Sequence, residues 1–119
     1  MPYVDGFIVP VPKKKLKAYL ALARRAARVW RDHGAIEYKE CLPDDVKSGK
    51  WTSFPQSVKL KKDELVVFSY IVYKSRAARD RCMAKVMKDP RMADMMDSKN
   101  HPFDGKRMIF GGFKPVIGF

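Results

Sequence analysis

Glu64-Leu65-Val66-Val67-Phe68-Ser69-Tyr70-Ile71-Val72-Tyr73-Lys74 is the longest β-rich run in the chain. β-Branched and aromatic side chains crowd it, and the two-residue period of a strand divides them between two faces. Leu65, Val67, Ser69, Ile71 and Tyr73 make one face; Val66, Phe68, Tyr70 and Val72 make the other. Neither face carries a charge, whereas a strand with one side in water alternates apolar with polar. This strand is therefore expected at the centre of a sheet, covered on both sides.

Working outward, residues 35–42 read as a shorter strand, with Ile36, Tyr38, Glu40 and Leu42 alternating against Glu37, Lys39 and Cys41. Between the two strands, residues 43–63 are long for a connection; Pro43, Gly49 and Pro55 break them, and Trp51, Phe54 and Val58 give them something to pack. Residues 3–11 alternate well enough for a first strand, which Pro10 and Pro12 are expected to stop. Residues 13–33 read as a helix closed by Gly34. At 100° steps Leu16, Tyr19, Leu20, Ala23, Ala26, Ala27 and Trp30 share one side. Lys13, Lys17, Arg24, Arg28 and Arg31 gather on the other, a basic stripe.

Downstream, Ser75 is a natural N-cap for a second helix over residues 76–88. Asp89-Pro90 breaks it, and residues 91–97 have room for a turn or two. Residues 106–113 make a last strand, in which Gly111-Gly112 suggests a bulge or a close backbone approach. The order βαββαβ predicts an α+β, ferredoxin-like antiparallel sheet with helices on one face, in one domain over residues 1–119. Its first and third strands are central, in keeping with the apolar 64–74 run. The face away from the helices needs cover, and a second copy is the simplest source, so a homodimer is expected, forming a dimeric α+β barrel.

Hydrophobic content of 46% excludes a disordered chain, and no apolar run approaches the roughly 20 residues of a membrane span. The first residues show no basic-then-apolar pattern, so no signal peptide is expected. Cys41 and Cys82 each sit among core-like residues and read as two reduced, buried thiols in a cytoplasmic protein. With 25 Lys and Arg against 13 Asp and Glu, the formal net charge is +12. That balance suits a polyanion such as RNA, but it also suits a solvated surface. Nucleic-acid binding through Lys13, Lys17, Arg24, Arg28 and Arg31 would want aromatics interleaved at the surface, and Tyr19 and Trp30 fall on the packing side instead.

Tyr3-Val4-Asp5-Gly6-Phe7, Asp89-Pro90-Arg91-Met92 and the run from His101-Pro102-Phe103-Asp104-Gly105-Lys106-Arg107-Met108 to Gly111-Gly112-Phe113 resemble the YbaA-like family of small bacterial proteins. That family is a domain of unknown function in the dimeric α+β barrel superfamily. The resemblance runs end to end. It implies a ferredoxin-like protomer, a homodimer and a bacterial cytosolic setting, and brings no established activity.

Nothing in the sequence names a reaction. It holds no dinucleotide or phosphate loop, no Cys-x-x-Cys and no His pair at metal spacing, so neither a cofactor nor a metal is expected. His33, at a helix end, reads as a cap. The polar groups to test as catalytic are His101, Asp5, Glu40 and Tyr70. Arg79 points into the packing face of the second helix and needs a carboxylate there, with Asp5, Asp32 and Glu37 as candidates. Arg79 and Arg107 are also candidate anchors for a small, anionic ligand in or at the mouth of the inter-subunit barrel. Tyr38, Glu40, Phe68 and Tyr70 are expected to line the space between the two sheets.

Overall fold

A computed structural model describes residues 1–96 and 101–119, and residues 94–96 by their backbone alone. The expected turns over 91–97 therefore end outside the described residues at Asp97, and the side chains of Met95 and Met96 lie outside them too. Four antiparallel strands stand in the order β2-β3-β1-β4: β1 Tyr3–Pro12, β2 Glu37–Cys41, β3 Glu64–Tyr73 and β4 Ile109–Phe113. β1 and β3 are central, as the patterning requires, and pair over ten residues from Tyr3↔Tyr73 to Pro12↔Glu64.

Several boundaries differ from those read in the sequence: β2 is shorter than residues 35–42, and the second helix ends at Val86 instead of 88. Pro10 does not stop β1: β4 begins opposite Ile8, so β1 has no strand partner on that side at Pro10 and tolerates a residue without an N–H. The first helix begins as a 3₁₀ turn, Lys13–Lys15, before α1, Leu16–Asp32. Its first residues offer no side-chain cap, and three lysines there oppose the positive end of the helix dipole. The last strand starts at Ile109 instead of residue 106 and keeps regular register through both glycines, without a bulge. Gly112 is the close approach: a Cβ there would lie 2.4 Å from the Tyr3 hydroxyl.

α1 and α3, Arg76–Val86, cover one face of the sheet, with Ser75 capping α3 through the Ala78 N–H at 3.0 Å. Gly34 closes α1 at φ 112°, the left-handed region that glycine enters without strain. The 43–63 excursion carries α2, Phe54–Ser57, capped by Ser53. Under the helices, Val11, Val29, Val67 and Tyr73 are fully buried, each stabilising the fold by about 1.5–3 kcal/mol. They belong to two clusters, one around Trp30, Tyr73 and Met92, the other around Val9, Tyr19 and Val67, with Phe7 packed against both.

The other face is open. Register places Val4, Ile8, Val66, Phe68, Tyr70, Val72, Ile109 and Phe113 on it. Phe68 is 42% exposed and Phe113 65%. Within the protomer the 43–63 excursion covers only one end of this side of β3, where Val66 is 6% exposed and Phe68 meets Phe54.

Candidate active site

A cavity of about 280 Å³ lies between the helices and the sheet. Its origin is local: Ala23 and Ala26 on α1 face Ser69 on β3, and these small side chains do not fill the space between helix and strand. Phe7, Trp30, Phe103 and the methionines Met83 and Met92 complete an apolar wall. Met87 also lines it while 57% exposed, which puts the cavity's contact with solvent beside the end of α3.

Glu40 is the one ionisable carboxyl among the described residues lining this cavity. β2 aims it inward because Glu40 pairs with Ser69, and Tyr38 with Ile71, on the helix-covered side of β3. Two phenols hold it. The Tyr19 hydroxyl donates to Oε1 at 2.7 Å and the Tyr38 hydroxyl to Oε2 at 2.9 Å. Burial pushes the Glu40 carboxyl above the usual carboxylate range, and the two hydrogen bonds only partly offset it. Burial and the adjoining carboxylate push both phenols up as well, so they stay protonated as donors. The arrangement can hold, give or take a proton in an apolar enclosure.

The expected lining of the inter-sheet space is corrected by this register. Tyr38 and Glu40 face the helices, whereas Phe68 and Tyr70 lie on the opposite, open face beside Lys39 and Cys41. Of the two thiols expected to be buried, only Cys82 is; Cys41, at the end of the edge strand β2, is exposed. There Tyr70 donates to Glu37 at 3.2 Å, and Phe68 packs edge-on to Phe54 at 6.1 Å. His101 stacks on Phe103 at 5.4 Å, and Phe103 stands edge-on to Tyr19 at 5.7 Å. That places the histidine one ring away from the Glu40 cluster.

Asp5 and Arg79 meet behind the cavity wall. Of the three carboxylates proposed for Arg79, Asp5 is the one within reach, 3.8 Å from a guanidinium nitrogen. Asp32 pairs with Arg91 at 2.8 Å, and Glu37 with Lys39 at 3.4 Å. Arg79 also donates to the Tyr3 hydroxyl at 3.2 Å and lies 5.0 Å above that ring. Its Nε is buried without a directed hydrogen bond, though Asp80 stands 3.2 Å away. Asp5 accepts from Tyr73, whose hydroxyl accepts from Trp30 Nε1 at 3.1 Å. Burial raises the Asp5 carboxyl, against the pull of Arg79. The set is a polar lock between α3, β1 and α1.

Arg107 is likewise turned inward. It grips Glu64 with two bonds, 2.7 and 2.5 Å, and Asp104 with a third at 3.0 Å. Asp104 also accepts from the Lys106 N–H at 3.0 Å, the turn role its Asp-Gly sequence suggests. His33, at the α1 C-terminus, bonds Asp89 at 2.8 Å. Lys13, Lys17, Arg24, Arg28 and Arg31 are all exposed. No group of three or more His, Cys, Asp or Glu that would hold a metal occurs among the described residues.

Tyr19 is the site residue that helical spacing alone assigned only to packing. Its signal was chemical: a tyrosine on a buried helix face needs a partner for its hydroxyl, and Glu40 is that partner.

The fold and site define a ferredoxin-like α+β protein, and comparison with solved structures agrees. The chain matches a dimeric ferredoxin-like protein from an uncultured marine organism with a TM-score of 0.61 at 12% identity, covering 100% of both chains. A second such protein matches at a TM-score of 0.61 and 11% identity, over 99% of this chain and 90% of that one. Rv0793 from Mycobacterium tuberculosis matches at 0.54 and 15%, over 99% and 98%. The chain belongs to the family described as "Protein of unknown function (DUF1428)", whose model matches residues 2–105. It is 48% identical over 117 residues to "Uncharacterized protein YbaA" of Escherichia coli K12, covering 98% of each, and equally to that of Shigella flexneri. No helix among the described residues is long and apolar enough to cross a membrane.

Proposed function

We propose that the protein is a homodimer that binds a small, largely apolar molecule in the helix–sheet cavity of each protomer, with Glu40 as the proton-exchanging group. One observation carries this reading: a carboxyl held by two tyrosines on the wall of an otherwise apolar cavity, surroundings that push its pKa upward. An anionic ligand is disfavoured beside Glu40, and the two arginines offered as its anchors are engaged with Asp5 and Glu64. The ligand is therefore neutral at the end that meets Glu40, with a carbonyl, hydroxyl or amine to share a proton. The homodimer is supported by the apolar open face and by the dimeric ferredoxin-like proteins of similar fold. Two such faces packed together make the α+β barrel, with the ligand cavities outside the inter-sheet space. A cytoplasmic location accords with the free thiols Cys41 and Cys82.

Titration with the neutral fluorophore N-phenyl-1-naphthylamine tests this. Saturable binding at one site per protomer is expected, weakened several-fold by Met87→Trp at the mouth. Absence of saturable binding, or indifference to Met87→Trp, refutes it. Glu40→Gln, in a screen of small carbonyl compounds for proton exchange, separates binding from catalysis.

The basic face of α1 supports a second reading, polyanion binding, because Arg24, Arg28 and Arg31 are exposed along one side of the helix. The buried positions of Tyr19 and Trp30 remove the stacking surface that single-stranded RNA would use.

A further inference from the structure

Two apolar features lie at opposite corners of the open sheet face. At the β2 edge, a groove of about 260 Å³ is lined by Cys41, Leu42, Val46, Phe54, Val66 and Phe68. At the β4 edge, the segment that follows Phe113 carries Val116, 77% exposed, and Ile117, 93% exposed. The registers fix their relation. Phe113 pairs with Val4, while Cys41 pairs with Phe68 and Phe68 with Ile8. Groove and segment are thus three strands apart across the sheet and four residues apart along it, a diagonal of about 20 Å.

We infer that, in the dimer, residues 114–119 of each copy seat Val116 and Ile117 in the groove of the other. The inference rests on the homodimer proposed above. Two open faces brought together around a two-fold axis along the other diagonal exchange these corners, so each segment lies over its partner's groove. Both contacts are made at once, as an isologous interface requires. The strands of the two sheets then cross near a right angle, one of the two usual packings.

A segment cannot fill its own groove. Val116 is three residues beyond Phe113 and reaches at most about 11 Å along the roughly 20 Å diagonal. The exchange also supplies area. Two ten-residue central strands and two five-residue edge strands give the face a footprint of roughly 500 Å², short of the roughly 800 Å² per partner of a standard stable interface. The groove walls and the exchanged segments extend it at both ends.

The groove contains its own reporter, because Cys41 is exposed there and the other cysteine, Cys82, is buried. Val116→Cys and Ile117→Cys variants, oxidised with diamide, are compared on non-reducing gels with the same variants carrying Cys41→Ser. Light scattering after size exclusion gives the mass of each. A covalent dimer from either variant that vanishes with Cys41→Ser is the expected result. A dimer by light scattering with no Cys41-dependent cross-link from either variant overturns the exchange and leaves the homodimer standing. A monomer overturns both. A bridge within one chain would contradict the geometry and overturns the exchange as well.

Discussion

Replacing Arg107 with methionine removes a guanidinium that binds two carboxylates and touches two backbone carbonyls. Glu64 is 6% exposed and receives two of its bonds. The Lys59 carbonyl accepts another at 3.1 Å and the Val58 carbonyl a longer one at 3.4 Å. Methionine keeps most of the aliphatic volume, so the loss is mainly that of an uncompensated buried carboxylate, about 3–5 kcal/mol. For a domain of this size that corresponds to a fall in Tm of about 12–20 °C, measured by circular dichroism at pH 7. The pH dependence supplies a second check. Arg107 holds the Glu64 carboxyl below its usual range, so the pair's contribution is full above the unfolded carboxylate pKa. It disappears as the pH falls through the folded value, and the gap between wild type and variant should close there. Adding Glu64→Gln to the variant removes the stranded charge and should restore part of the loss. A Tm change below about 3 °C, or a gap that widens in acid, would refute the assignment of Arg107 to an internal pair.

Gly112→Ala should cost about 1–3 kcal/mol in chemical denaturation, because the new methyl meets the Tyr3 ring at 2.4–2.9 Å and Arg79 holds that ring in place. Gly6→Ala, with nothing within 4 Å of its Cβ, is the control and should be much milder. On the open face, Phe68→Asp should convert the dimer to monomer by light scattering while the far-ultraviolet spectrum is retained; a dimer of unchanged mass would contradict the proposed interface. Neutralising Arg24, Arg28 and Arg31 with glutamine should leave fluorophore binding unchanged. Should the wild type bind RNA at physiological salt more tightly than heparin, and lose that binding in the triple variant, the polyanion reading would replace the cavity reading.

The fold was legible because its evidence is periodic and local. The uncharged alternation of the 64–74 run placed β3 at the centre, and the placement of Arg79 on the packing side of α3 led to Asp5 across the sheet end. Which face of β2 meets which face of β3 was not legible. The 43–63 excursion sets that register through turns such as the Ser53 cap, and a shift of one residue exchanges the faces. For that reason the sequence alone groups Tyr38 and Glu40 with Phe68 and Tyr70, although the two pairs point to opposite sides. The cavity itself was hidden because it arises from what alanines on a helix fail to fill, a volume that no pattern encodes. Arg107 gave no warning of its partner either, since Glu64 lies 43 residues away at the start of the central strand.

The most direct test is the titration of the Glu40 carboxyl by ¹³C nuclear magnetic resonance, with and without N-phenyl-1-naphthylamine, using Glu40→Gln for assignment. A midpoint above the ordinary glutamate value of about 4.3 is predicted, moving higher when the neutral fluorophore displaces water from the cavity. A midpoint at or below that value, unmoved by the fluorophore, would contradict a proton-exchanging carboxyl in a ligand cavity.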